Sequence, residues 1–292
     1  MKKCIACIAA LLAFGMTGAN AEEMTAPSSA FVTTKVPYLS WSGFYAGFNG
    51  GFAFGNSSIA YAPNDPAAQL GTCGGGPPPP PSLPRGQCIP SPDFRRDGAL
   101  VGGQIGFNWQ VNSRWLVGAE ADYQWSDFKG SVSAPFRLGG LGNTNMNASQ
   151  TVGSFGTVRA RAGVLIIEPL LLYGTAGLAL AQASENVAVP AVATGTLSSG
   201  GYSYSCTAGG ASCFTGTPSN TLWGWSAGGG AELAITSNLT FKTELLYVHL
   251  EAPNAKAFAT ATASAATSPA SFTASFSPVY FAVMRGGLNL RF

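Results

Sequence analysis

Charge is scarce in this chain. Only 10% of its 292 residues are Asp, Glu, Lys or Arg, against 46% hydrophobic, where soluble domains carry roughly a quarter charged residues. Histidine is nearly absent too: His249 is the single one, which leaves no His pair for a common zinc centre and no second imidazole for acid–base work. There is no basic excess either. Without Lys2 and Lys3, the fifteen Lys and Arg become thirteen, against thirteen Asp and Glu, and no stretch is dense in Lys or Arg, which argues against nucleic acid as a partner. Long apolar runs are missing as well. Past residue 21, Gly, Asn, Gln or a charge interrupts every candidate within a few residues, well short of the ~20 that a spanning helix needs.

A hydrophobic chain without spanning helices has one other route into a bilayer, because a closed β-barrel also satisfies every backbone group. The C-terminus carries that pattern. Counting back in twos from Phe292, through Leu290, Leu288, Gly286, Met284, Ala282 and Tyr280, no residue is charged, while Arg291, Asn289, Gly287 and Arg285 occupy the other parity. A strand places these sets on opposite faces, one suited to hydrocarbon and one to charge. The N-terminus agrees with export. Lys2 and Lys3 precede an apolar run from Cys4 to Met16, and Ala19-Asn20-Ala21 offers small residues for cleavage. The predicted organisation is a signal peptide over 1–21, a flexible periplasmic segment over 22–40 and a barrel over 41–292.

Period-two patterning predicts eight strands, over about 43–55, 99–111, 115–126, 155–166, 170–181, 222–234 and 239–250, and the terminal segment. The fifth is apolar on both faces, so its register is open. Links alternate in length. Asn112-Ser113-Arg114, Glu168-Pro169 and Thr236-Ser237-Asn238 are tight turns, whereas the links over about 56–98, 127–154, 182–221 and 251–278 are long. The expected fold is all-β: an eight-stranded antiparallel up-and-down transmembrane barrel with short periplasmic turns, long extracellular loops and both termini periplasmic, in the outer membrane of a Gram-negative cell. Within the long links, Pro77 to Pro81 predicts a stiff polyproline segment, and Ala257 to Ser275 reads as low-complexity and mobile.

Trp115 and Trp125 share a face; ten residues at ~3.3 Å each, tilted by about 40°, project to ~25 Å, the height of a lipid band. Trp109, Phe241 and Phe292 join Trp115 in a lower interfacial belt, and Trp223, Trp225 and Tyr280 join Trp125 in an upper one. The inward parity collects Glu120, Asp122, Arg159, Arg161, Glu232, Lys242, Glu244 and Arg285, four acids and four bases. An eight-stranded barrel is just wide enough for side chains to fill, so this set is expected to plug the lumen rather than line a narrow ion path or act in catalysis.

Four cysteines follow the leader. Cys73 with Cys88, and Cys206 with Cys213, each fall within one long link, and local disulfides are expected over a zinc site, whose usual spacings they do not fit. Tyr202 and Tyr204 beside Cys206 offer haem ligation as an alternative to exposed loop tyrosines, and His249 offers a rim catalyst as an alternative to an interfacial polar residue. No cofactor is expected. Gly228-Gly229-Gly230 lacks the lysine and helix of a phosphate loop and reads as close wall packing.

Trp41-Ser42-Gly43-Phe44-Tyr45-Ala46-Gly47 resembles the opening strand of the alphaproteobacterial outer-membrane β-barrel proteins that include major surface antigens and some haem-binding members. Gly156 to Gly163, Leu172 to Ala179, Gly224 to Glu232 and Lys242 to Tyr247 are similar to that family's fourth to seventh strands. The final segment, with Arg285, Gly287, Leu290 and Phe292, resembles the signal read by the outer-membrane insertion machinery. The resemblance implies a non-enzymatic envelope protein with surface contacts. The alternatives are a small passive porin, a haem-binding surface protein and a lipid-modifying enzyme. The expected partners are outer-membrane lipid and lipopolysaccharide, the insertion machinery and an extracellular partner that the loops do not name.

Overall fold

The computed structural model describes residues 40–73 and 92–292, with backbone alone for 70–73. The leader, most of the segment before Trp41, the Pro77 to Pro81 run and Cys88 lie outside the described residues. The strands are β1 (Gly43–Pro63), β2 (Asp93–Gln110), β3 (Trp115–Arg137), β4 (Asn143–Ile167), β5 (Leu170–Val189), β6 (Gly195–Ser199), β7 (Tyr202–Cys206), β8 (Phe214–Gly216), β9 (Ser219–Ala234), β10 (Leu239–Leu250), β11 (Asn254–Ala259), β12 (Ser268–Pro269), β13 (Ser271–Phe276) and β14 (Val279–Arg291). Among the described residues one α-helix, α1 (Pro66–Cys73), follows β1, and a short 3-10 turn (Gly139–Leu141) joins β3 to β4.

Eight of these strands close a ring of antiparallel pairs in the order β1, β2, β3, β4, β5, β9, β10, β14 and back to β1. The short turns lie at one end, here the lower. Side chains secure them: Asn112 Oδ1 accepts the amides of Arg114 and Trp115 at 2.9 Å each, and Thr236 Oγ1 accepts that of Leu239 at 3.0 Å. In β5, Leu171, Tyr173 and Thr175 point inward while Leu172 and Leu178 are exposed outward, which fixes the register that an apolar sequence on both faces left open.

The described parts of the long links are folded, and this corrects the expectation of loose surface. The link over 127–154 is a continuation of β3 and β4 as one hairpin, paired up to Arg137 with Asn143. The segment from Ala257 to Ser275, expected to be mobile, supplies parts of β11 and β13, with Ala257, Phe272 and Ala274 fully buried. Pairing runs round a second circuit above the first, in which β8, β11 and β13 take the places of β9, β10 and β14 beside the long strands β1 to β5. Proline marks each change of storey. Pro218 separates β8 from β9, Pro253 separates β10 from β11, and Pro278 separates β13 from β14. Lacking an N–H, proline cannot continue a ladder on its donor side, and its carbonyl is used instead: Pro218 accepts from the Glu185 amide at 3.0 Å and Pro253 from the Phe276 amide at 3.1 Å.

The upper storey encloses an apolar core that includes Ile59, Phe136, Met146, Val187, Tyr204, Phe214 and Phe272. Beneath it a second apolar cluster, with Phe128, Phe155, Leu246, Val248 and Phe281, fills the upper half of the lower ring. Asp65 ties α1 to this core. Its Oδ1 caps the helix at the Ala68 amide (2.8 Å) and its Oδ2 accepts from the Ser271 amide (2.6 Å).

Candidate functional site

Below the apolar cluster the lower ring is ionic. Alternation on β3, β4, β9, β10 and β14 turns Glu120, Asp122, Arg159, Arg161, Glu232, Lys242, Glu244 and Arg285 inward, and all eight are buried. Arg159 is the hub. It meets Glu120 and Asp122 through Nη2 at 2.7 Å each and Glu244 through Nη1 at 3.0 Å, while its Nε donates to Thr157 Oγ1 at 2.8 Å. Arg285 donates from Nε to Glu244 at 2.7 Å and from Nη2 to Asp122 at 3.0 Å. Lys242 Nζ reaches both oxygens of Glu120 at 2.8 Å, and Arg161 pairs with Glu232 at 2.8 Å. Every acid therefore has a cation. Burying a lone charge costs several kcal/mol, and only pairing with further hydrogen bonds offsets it.

The parity reading overlooked the aromatic part of this network. Tyr45 accepts from Arg161 at 2.8 Å and donates to Glu120 at 2.7 Å; it shares its parity with inward Asn49, the signal that could have found it. Tyr173 donates to Glu244 at 3.1 Å, and the Arg161 guanidinium stacks over its ring at 4.1 Å. Two glycines make room for these rings. A Cβ on Gly106 would collide with the Tyr45 ring, and one on Gly230 would lie 2.7 Å from the Tyr173 hydroxyl. Close approach is thus the physical reason for the last glycine of the Gly228-Gly229-Gly230 run. A chain of amides extends the network: Gln104 donates to Asn289 at 2.6 Å, Asn289 to Glu232 at 2.9 Å, and Asn49 to Gln104. Trp41 closes the lower mouth, buried, with its indole N–H on the Glu168 carbonyl at 3.1 Å and the Arg291 guanidinium over its ring at 4.9 Å.

The outer face carries Trp109, Trp115, Trp125, Trp223, Trp225, Tyr280, Phe241, Leu290 and Phe292, all exposed. Trp225 pairs across the strands with His249, and His249 with Tyr280; the His249 ring sits 5.6 Å from the indole and 4.7 Å from the phenol. The histidine therefore belongs to the outer wall, away from the interior carboxylates. Gly287 lies on β14 opposite Asn49, where a Cβ would meet the Asn49 side chain at 2.8 Å. In the upper storey, Cys206 and Cys213 form a disulfide with Cα atoms 5.0 Å apart. Tyr204 is fully buried against Phe214, ring centroids 4.9 Å apart, so of the two loop tyrosines only Tyr202 faces outward.

A wall with apolar residues outside and ions inside is the inverse of a soluble fold. The model of the outer membrane protein beta-barrel domain matches residues 8–277. The chain belongs to this outer-membrane β-barrel family. It is 33% identical over 250 residues to the 31 kDa outer-membrane immunogenic proteins of Brucella melitensis and Brucella suis, covering 84% of this chain and 85% of theirs. Among solved structures it is similar to the outer membrane protein OprG of Pseudomonas aeruginosa, at 15% identity and TM-score 0.43 over 86% of this chain and 96% of that one. Another is the outer membrane protease OmpT of Escherichia coli, at 10% identity and TM-score 0.42 over 86% and 97%. The family and the Brucella relatives place the barrel in an outer membrane.

Proposed function

We propose that this barrel is a closed, non-enzymatic envelope protein whose wall carries a folded structure out of the cell for surface contacts. The reading places the long-link end outside, both termini in the periplasm and the ionic set as a plug of the lumen. One observation carries it: the four acids and four bases inside the ring are buried, and each acid is paired with at least one base. Ions so engaged leave neither a hydrated path nor a free carboxylate for acid–base work. The single histidine, stacked among outward aromatics, supports the same view, and the naming of the Brucella relatives as outer-membrane immunogenic proteins is in keeping with exposure at the surface. Planar-bilayer recording from purified protein is the test. No large, steady conductance is expected; observing one would overturn the plug.

A further inference from the structure

Where β1 changes neighbour, the wall has a seam. The last pair of β1 with β14 is Phe54 with Ala282, and its first with β13 is Ile59 with Phe276, so residues 55–58 have no ladder partner on that side. Ser277 spans part of the gap, its amide on the Ser58 carbonyl at 2.9 Å and its hydroxyl on the Ser58 amide at 3.1 Å. Beside it lies a cleft of about 430 Å³ lined by Asn56, Ser57, Ser58, Ser277, Asp93 and Arg95, with the buried Phe94 as its one apolar member.

Three features point to its ligand. The lining interleaves a carboxylate, a guanidinium, an amide and hydroxyls, a mixture of donors and acceptors that suits a polyhydroxylated molecule better than an apolar one or a bare anion. Its depth is set by the wall. Phe54, two residues below Asn56 on the same face, is exposed in the lipid band, as is Tyr280 on β14; two residues at ~3.3 Å and a ~40° tilt place Asn56 ~5 Å above that edge, where headgroups begin. The site is also held in place from behind. Arg96, buried and without a carboxylate partner, donates from Nη2 to the Asn56 carbonyl at 3.1 Å and from Nη1 to Gln150. Lys129, outward on β3 and paired across the strands with Asp97, adds a second exposed cation on the neighbouring strand, one outward position along from the level of Arg95.

We propose that this cleft binds the phosphorylated saccharide head of an outer-leaflet glycolipid, with Arg95 and Lys129 meeting its phosphates and Asp93, Asn56 and Ser58 its hydroxyls. The proposal rests on the reading that the long-link end faces out of the cell. The probe is purified lipopolysaccharide with a truncated core in mixed micelles, and the readout is its retention by the folded protein in native mass spectrometry. The Asp93→Ala/Arg95→Ala double variant, and separately Ser58→Trp, which fills the cleft, should each weaken retention at least tenfold. Arg137→Ala, which removes an exposed cation at the tip of the β3–β4 hairpin, should leave it unchanged. A heat-modifiable gel shift verifies that each variant is folded. Retention equal to wild type in both cleft variants would overturn the site, and equal competition by phosphatidylglycerol or by the free deacylated core would overturn the glycolipid as its ligand. Labelling of Ser199→Cys on intact cells with an impermeant maleimide reports orientation independently, so a failure of that reading is distinguishable from a failure of the cleft.

Discussion

The two storeys share β1 to β5 yet solve burial in opposite ways. In the lower storey Phe, Val and Trp face outward and ions fill the middle; in the upper, Asp93, Arg95, Asp97 and Lys129 face outward while Phe136, Phe214 and Phe272 pack inside. The strand geometry is the same in both. What inverts is the solvent around it, since hydrocarbon removes the drive to hide apolar side chains and makes any unpaired polar group outside the ring costly. A single strand records the change: along β3 the outward positions run Val117, Tyr123, Trp125 and then Asp127 and Lys129, while the inward ones run Glu120, Asp122 and then Phe128 and Phe136.

The largest expected effect tests the lower solution. Arg159→Met removes one of the two guanidinium groups shared by Glu120, Asp122 and Glu244, leaving the buried set one cation short, and breaking a buried pair costs about 3–5 kcal/mol. Unfolding in detergent micelles should show a loss of this size, and adding Glu244→Gln should return part of it by restoring equal numbers of buried acids and bases. An Arg159→Met protein as stable as wild type would mean that the ions do not hold the ring together. The upper solution is tested by Phe272→Ala. Its ring packs between those of Phe136 and Phe214, centroids 5.4 Å away in each case, and truncating a buried phenylalanine costs about 3–5 kcal/mol in a well-packed core. Here the damage should be local, with the upper strands open to protease and the lower ring still heat-modifiable. If the whole barrel melts in step, the storeys form one cooperative unit and the contrast between them loses its energetic meaning.

The wall was legible in the sequence because alternation is strong wherever one face meets lipid: Val101, Ile105, Phe107 and Trp109 against Gln104 and Asn108 admit only one register. The ionic set was legible for the same reason. The upper storey was not. Its strands β11 and β13 bury Ala255, Ala257 and Ala274, small residues that give a weak periodic signal, and Pro218, Pro253 and Pro278 punctuate the chain near the ends of segments read as loops. Tyr173 was hidden by a strand apolar on both faces. Trp41 precedes the first strand, where alternation has no purchase, so its place as the stopper of the lower mouth could come only from the fold.

The smallest expected effect lies between the storeys, where Arg96, Gln150, Glu185 and Asn220 form a polar layer above the lipid band. Glu185 is buried and has no cation among the described residues; Gln150 and Asn220 donate to it at 3.2 and 3.0 Å, and Gln150 also takes the guanidinium of Arg96. Burial raises the Glu185 carboxyl above the ordinary carboxylate range, more than the hydrogen bonds from Gln150, Asn220 and its own backbone lower it. A carboxyl whose folded value lies above its unfolded one contributes stability that is complete below the unfolded value and is lost as pH rises through the folded one. The upper storey should therefore resist protease better in mild acid than at neutral pH. Glu185→Gln keeps the shape and removes the titration, so it should flatten this dependence and slow cleavage at neutral pH, with the lower ring unaffected. A pH profile of proteolysis that is the same in both proteins would show that Glu185 finds enough solvent or counter-charge to titrate as an ordinary acid, and that the layer separating the two storeys is wet.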